Sequence, residues 1–83
     1  MIKWNSNFNI PDSAIQIANV HIKIISYETD GKSTIAKVSM TDETGEITVK
    51  EYQQTFDRSF TSKNDIYLHM LEQFNGAKIE YDV

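Results

Sequence analysis

Histidine is the residue type that most often exchanges protons near neutral pH, and this chain contains two, His21 and His69. Acid–base catalysis by either would need a hydrogen-bonded partner such as Asp, Ser or Cys, and a pocket around the pair. His21 falls in a strand-like segment and His69 on the flank of a predicted helix, and neither has such a partner in a recognisable pattern nearby. We therefore expect both histidines to be solvated and to have no catalytic role.

Neighbouring carboxylates occur in two places, Glu28 with Asp30 and Asp42 with Glu43. A carboxylate pair performs acid–base chemistry when its surroundings separate the two pKa values, but both pairs fall in predicted hairpin turns, where side chains are exposed. Residues 42–45 also form too short a loop to wrap a calcium ion, which takes about six to eight oxygen ligands. The acidic residues therefore predict solubilising charges.

Glycine and cysteine usage gives no sign of a cofactor site. The three glycines are isolated from one another, and each falls at a predicted turn or helix end, so the sequence has no glycine-rich phosphate loop. The absence of cysteine excludes disulfides and thiolate metal sites. We expect no catalytic residues, no cofactor and no metal site, and we predict that the protein is not an enzyme.

The composition is that of one small folded domain of 83 residues, 40% of them hydrophobic and 24% charged. The net charge of −4 disfavours direct nucleic-acid binding, because such binding rests on Lys and Arg. The first residues lack the apolar run of a signal peptide, and no segment approaches the roughly 20 apolar residues of a membrane span. We expect a non-secreted protein with no nucleic-acid, membrane or evident small-molecule partner.

The first 13 residues read as an N-terminal arm that precedes a single domain over residues 14–83. The arm is rich in Asn and Ser but contains Trp4, Phe8 and Ile10, and it ends at Pro11, which cannot donate to a strand ladder. Large apolar side chains in a polar segment indicate that the arm docks on a surface. That surface is either its own domain or a neighbouring subunit.

Strand-like patterns fill most of residues 14–56. Residues 14–27 predict one long strand or two, and a switch in the parity of the apolar positions places a bulge or break near Ala18 and Asn19. Residues 29–32 predict a hairpin turn of the Asp-Gly kind. Residues 34–40 alternate as a half-solvated strand, and residues 46–56 form the next strand, with a second bulge near Lys50 and Glu51.

One amphipathic helix is predicted over residues 63–75, with Ser62 and Asp65 as an approximate capping box and Gly76 just beyond its end. Leu68 lies off the apolar stripe and would add to a docking surface if it were exposed. The alternation of Ile79, Tyr81 and Val83 with charged residues predicts a short strand at a sheet edge.

These elements predict an α+β fold, in which an antiparallel sheet of three to four strands packs against one helix in the C-terminal half. Folding accounts for the glycines, turn acids and helix cap, so function is expected where the pattern leaves apolar residues unexplained. The candidate partner-binding residues are Trp4, Phe8, Ile10, Leu68, Ile79 and Tyr81.

The chain also resembles a group of small virion-associated proteins of tailed bacteriophages and prophages, found among tail genes. The similarity follows the order of elements over most of the chain. It is carried by Asn-Ile-Pro-Asp-Ser-Ala-Ile-Gln-Ile at residues 9–17, by Val20, by the strand ending near Tyr52, and by Leu71, Phe74, Gly76 and Ala77 at the end of the helix. The chain departs from the pattern at Ile15, where an aromatic is usual, in lacking prolines after Phe56 and Leu71, and in its C-terminal strand.

The resemblance implies a non-enzymatic structural or virion-accessory protein, in the tail or baseplate, that binds other virion proteins or forms a homo-oligomer. Its place would be the virion, assembled in the host cytoplasm. The alternative is a small acidic phage inhibitor of a host defence system, similar to anti-CRISPR proteins. In that case Asp42, Glu43, Glu46 and Glu51 on one hairpin would mimic nucleic-acid phosphates.

Overall fold

In the computed structural model, which describes residues 1–10 and 14–80, one antiparallel sheet carries a single helix on one face. The sheet order is β4-β3-β2-β1-β5. The elements are β1 Ile2–Asn9, β2 Gln16–Thr29, β3 Thr34–Thr41, β4 Thr48–Phe56, the helix α1 Lys63–Met70 with a 3-10 turn Leu71–Gln73, and β5 Lys78–Ile79.

The α+β class is confirmed, with an antiparallel sheet and one helix in the C-terminal half, but the expected count of three to four strands is wrong. The fifth strand is β1, which comes from the segment that the sequence sets apart as an arm. Its Asn and Ser residues disfavour a strand by composition. The alternation of inward Ile2, Trp4 and Phe8 with exposed residues nevertheless fits a strand between β2 and β5.

Three irregularities bend the sheet, and two of them fall close to the predicted places. Between β1 and β2, Ser6 and Asn7 lie opposite Ala18 alone, where the parity switch occurs. Between β3 and β4, Val49 is the extra residue, one position before the predicted bulge. The third irregularity inserts Ile25 between β2 and β3. Across these irregularities the parity of the core-facing residues changes in β2 and in β4, whereas β1 keeps one parity throughout.

The predicted turn at residues 29–32 is present as a hairpin between β2 and β3. Gly31 has φ of +89°, which L-residues rarely adopt. The Asp30 carboxylate accepts hydrogen bonds from the backbone N–H groups of Lys32 and Ser33 at 3.0 and 2.9 Å. These bonds hold the pKa of Asp30 below its usual range.

The helix begins as its capping residues predict, since the Ser62 hydroxyl accepts a hydrogen bond from the Asp65 N–H at 3.2 Å. Its apolar stripe, Ile66, Tyr67 and Met70, is buried against the sheet. The Tyr67 hydroxyl accepts the N–H of Ile24 at 2.8 Å. The pairing of β1 with β2 ends at Ile2 and Ile22, so β1 offers no acceptor to the N–H of Ile24. The Tyr67 side chain accepts that hydrogen bond instead.

The core lies between the helix and the inner face of the sheet. All five strands contribute apolar side chains to it, or pack partly buried ones against it. Its buried members are Ile2, Ile17, Val20, Ile22, Ile24, Ala36, Val38, Met40, Phe56, Phe60, Ile66, Tyr67, Met70 and Phe74.

Candidate interaction edge

Trp4 and Phe8, two of the predicted partner-binding residues, lie on the inner face of β1. Their rings meet edge to face at a centroid distance of 5.6 Å, and the Trp4 ring lies 4.9 Å from that of Phe74. The Trp4 indole Nε1 donates to the carbonyl oxygen of Asn75 at 3.0 Å. Both residues are partly buried against the core, so this part of the predicted arm packs on its own domain.

Two more of the predicted partner-binding residues, Ile10 and Ile79, are like Trp4 half-buried against the core, and Ile79 pairs with Ile2 across β5 and β1. Leu68 is 48% exposed on the solvent side of α1. Tyr81 lies outside the described residues. The role of this set in partner binding stays a prediction.

The β5 edge of the sheet is fastened to β1 by contacts within the chain. The Met1 amino group donates to the carbonyl oxygen of Glu80 at 2.8 Å, and the Glu80 N–H donates to the Met1 carbonyl oxygen at 2.8 Å. The Lys3 ammonium lies 2.6 Å from the Glu80 carboxylate. This charge-assisted hydrogen bond, together with the positive charge of Lys3, lowers the pKa of Glu80.

The opposite edge of the sheet is β4, a nine-residue strand whose strand partner, within the described part of the chain, is β3 alone. One row of backbone N–H and C=O groups of such a strand has no ladder partner. The strand contains no proline, which would block pairing. Its charged side chains are Lys50 and Glu51, at neighbouring positions that face opposite sides of the sheet.

On the inner side of β4, the aromatic residue Tyr52 lies at the middle of the strand and packs partly against the core. Tyr52 lies opposite Val38 of β3 and is half-buried, and the Lys50 ammonium lies 5.0 Å from the centre of its ring. Burial raises the pKa of the Tyr52 hydroxyl. The ring at the middle of this edge is therefore partly packed against the core.

The outer side of β4 continues the polar face of the sheet that the helix leaves open. In cross-strand rows, Glu51 lies opposite Ser39, and Gln53 lies opposite Lys37. The exposed isoleucines on this side are Ile25 and Ile35, among the residues that the structure describes. A face of this kind presents charge and hydrogen-bonding groups to a partner more than apolar surface.

The residues considered for catalysis lie apart from one another. The His69 ring lies 5.5 Å from the rings of both Phe56 and Phe60, whereas His21 lies on the sheet opposite Lys3 and Thr41. Within residues 1–10 and 14–80, no three His, Cys, Asp or Glu residues are placed to hold a metal ion. No helix in the described part of the chain is long and apolar enough to cross a membrane.

Two carboxylates of the β3–β4 turn accept hydrogen bonds from neighbouring groups of the chain. Asp42 accepts hydrogen bonds from the Ile47 N–H at 3.1 Å and the Thr44 hydroxyl at 2.8 Å. The Ile47 bond contributes most to lowering the pKa of Asp42. Glu43 accepts from the side-chain amide of Asn19 at 2.7 Å. Both carboxylates fix the turn to its surroundings, and Glu46 beside them is exposed.

A surface concavity of about 420 Å³ lies where β1, β2 and β5 meet. It is lined by side chains of both charge signs and by amides, among them Lys3, Lys78, His21 and Glu43. Because Lys3 is already paired with Glu80, the concavity offers no concentrated charge to a small ligand. The β4 edge is therefore the better candidate for function.

Comparisons with known proteins place the chain in no group: no protein-family model matches it, and neither a curated protein nor a solved structure does. The resemblance to small virion proteins of tailed phages therefore rests on the sequence elements given above.

Sequence patterns alone did not single out β4 as the candidate edge. The strand itself is predicted, but its place at the rim depends on β1 joining the other side of β2. A usable signal was the short turn at residues 42–45, which makes β3 one neighbour of β4, while the helix that follows β4 supplies no second strand.

Proposed function

We propose that this protein is a non-enzymatic assembly protein that works by binding other protein chains through the β4 edge of its sheet. The observation that carries the proposal is the length of β4, a nine-residue strand with one strand neighbour in the described chain. On the other side of the sheet, β5 covers Ile2 and Lys3 of β1 and is fastened there by the bonds of Glu80 to Met1 and Lys3. An uncovered strand adds main-chain hydrogen bonds to any partner that presents a strand of its own.

The sequence resemblance gives this assembly role a biological setting, a tailed-phage virion, with the tail or baseplate as the expected position. Sheet edges are suited to building such particles because one strand can join identical or different subunits without a dedicated pocket. Its partners would be a second copy of the chain or another virion protein. The small core of an 83-residue domain also gains stability from such docking.

The alternative role, an acidic inhibitor of a host defence system, needs carboxylates that are free to mimic phosphates. Two of the four carboxylates assigned to it, Asp42 and Glu43, already hold the β3–β4 turn. Glu51 lies on the outer face of the sheet beside Ser39. We therefore favour assembly over phosphate mimicry.

The experiment that tests the proposed function is mass spectrometry of purified particles from a lysate in which the gene is expressed, with the tagged protein as bait in parallel. We expect the protein in the particles, or a particle protein bound to the bait. A protein absent from particles that binds a basic host nuclease in a strongly salt-dependent manner would contradict the proposal and support the inhibitor.

A further inference from the structure

We propose that Asn75 and Gly76 form a site of spontaneous covalent modification, at which the Asn75 side chain loses ammonia and the residue becomes isoaspartate. The two residues lie between the 3-10 turn and β5. This inference is independent of the proposed function, because it concerns the chemistry of one turn and not a binding partner.

Asn75 differs from the other asparagines of the chain in its position and in the residue that follows it. The chain has six asparagines, and Asn75 is the one that glycine follows. It is also the one outside the helices and strands of the described residues. The others are Asn5, Asn7 and Asn9 in β1, Asn19 in β2 and Asn64 in α1. Glycine has no side chain, so its backbone nitrogen is the least hindered in attacking the preceding residue.

The turn leaves both reacting groups free. The Ala77 N–H donates to the Phe74 carbonyl oxygen at 3.0 Å, and Gly76 between them has φ of +81°. Within residues 1–10 and 14–80, neither the Gly76 N–H nor the Asn75 side-chain amide makes a hydrogen bond. Both residues are exposed, and beyond the chain neighbours of Gly76 no atom lies within 4 Å of the place that a Cβ would occupy. Water and hydroxide therefore reach the site.

The reaction is an intramolecular ring closure followed by hydrolysis. Hydroxide removes the proton of the Gly76 N–H, and the nitrogen attacks the side-chain Cγ of Asn75. The new C–N bond forms, the Cγ–Nδ2 bond breaks, and the amide nitrogen takes a proton from water and leaves as ammonia. Water then opens the resulting succinimide at either carbonyl. Cleavage at the Asn75 main-chain carbonyl gives isoaspartate, in which the main chain runs through Cγ, and cleavage at Cγ gives aspartate.

The Asp30–Gly31 turn could form the same succinimide, but its hydrogen bonds oppose the reaction. The Asp30 carboxylate accepts the N–H groups of Lys32 and Ser33, which hold its pKa below the usual range and keep it ionised. A carboxyl group must be protonated before it can release water as a leaving group. The chain therefore contains an internal control, a second residue before glycine that the fold protects.

Isoaspartate at residue 75 changes the attachment of β5 to β1. The Asn75 carbonyl oxygen accepts the Trp4 indole N–H at 3.0 Å, and formation of isoaspartate converts that carbonyl into a free carboxylate. The short link from the buried Phe74 to Lys78, which pairs with Lys3, also gains one main-chain carbon between two held ends. We therefore expect the pairing of β5 with β1 to weaken.

The test is incubation of the folded protein at mildly alkaline pH, followed by peptide mapping with electron-transfer fragmentation, which distinguishes isoaspartate from aspartate. We expect release of ammonia, with isoaspartate confined to residue 75 and a rate that rises with hydroxide concentration. Asn75→Gln keeps an amide but needs a larger ring that closes more slowly, so it should remain unmodified. Asp30 should stay intact in the folded protein and begin to isomerise in urea, where its hydrogen bonds are lost.

The effect on β5 is measured on modified protein separated by anion exchange, which responds to the added negative charge. We expect a shifted indole N–H resonance of Trp4, the one tryptophan of the chain, and faster exchange of the Glu80 N–H, which donates to Met1. Asn75→Asp adds the charge without lengthening the main chain and should exchange at the normal rate.

Two results would overturn the inference. If Asn75 stayed intact in the folded protein while a peptide of residues 72–78 reacted, the fold would protect this turn as it protects Asp30. If the Glu80 N–H exchanged equally fast in the modified protein and in Asn75→Asp, the modification would not loosen β5.

Discussion

The two edge strands of the sheet, β5 and β4, differ in length and in their contacts with the rest of the chain. The β5 edge is a two-residue strand that its own chain secures, through bonds between Met1 and Glu80 and the Lys3–Glu80 ion pair. The β4 edge is nine residues long and has β3 as its one strand neighbour in the described chain. Proteins protect such edges by shortening or covering them, or with charges and bulges. β5 covers only Ile2 and Lys3 of β1, and β4 carries Lys50 and the bulge at Val49. Our proposal that β4 joins chains therefore rests on its length, nine residues with one strand neighbour in the described chain.

The largest loss of folding stability is expected from a change at Trp4, next to the β5 edge. Trp4→Ala removes ring contacts with Phe8 and Phe74 and the bond to the Asn75 carbonyl oxygen. Because Trp4 is only partly buried, we expect a loss of about 3 kcal/mol in the free energy of unfolding, at the low end for such truncations. Urea denaturation measures it.

Trp4→Phe keeps an aromatic ring and should lose much less stability, which makes it the matched control. If Trp4→Ala left stability unchanged and abolished self-association instead, β1 would be the assembly element and the comparison of the edges would be reversed.

A smaller effect is expected at Tyr67, whose hydroxyl accepts the N–H of Ile24 between the two edges. Tyr67→Phe keeps the ring but leaves that buried N–H without this acceptor, so we expect a loss of about 1 to 3 kcal/mol. Chemical denaturation should show the loss, and any self-association measured by sedimentation equilibrium should not change. Tyr27→Phe removes a longer, exposed hydrogen bond to Thr61 and should cost less. Equal losses in the two variants would argue against a buried, structural hydroxyl at Tyr67.

The features that follow from local chemistry were predictable from the sequence. The Asp30–Gly31 turn, the Ser62 cap and the bulge opposite Ala18 each depend on a few adjacent residues, and the structure confirms them. The strand β1 was missed because its Asn residues mask an alternation of large apolar groups. The extra residue Ile25 was missed because two adjacent isoleucines give no parity signal.

The candidate edge was beyond the reach of local patterns because it is a property of strand order. Residues 48–56 read as a strand wherever they lie in a sheet. Only the long-range pairing of β1 with β2 and β5 makes β4 the rim. The apolar residues proposed from sequence as partner contacts, Trp4 and Phe8 among them, are partly used by the core.

The smallest expected effect concerns the ion pair at the β5 edge. Folding lowers the pKa of Glu80, so its contribution to stability is present above the ordinary pKa of 4.5 and is lost as the pH falls through the folded value. Lys3→Met should move the Glu80 pKa back towards 4.5. It should also remove the loss of folding stability that protonation of Glu80 causes at low pH. Carboxylate titration by NMR checks it, with Lys23→Met as control. An unchanged Glu80 pKa in Lys3→Met would show that the ion pair does not form in solution.

The claim that β4 is the edge that joins chains is tested most directly by amide hydrogen exchange at low and high protein concentration. If another copy pairs there, the N–H groups of β4 that point away from β3 gain protection as concentration rises, while those of β1 and β5 exchange at constant rates. Concentration-independent exchange throughout β4, with new protection appearing at β1 or β5, would contradict the account.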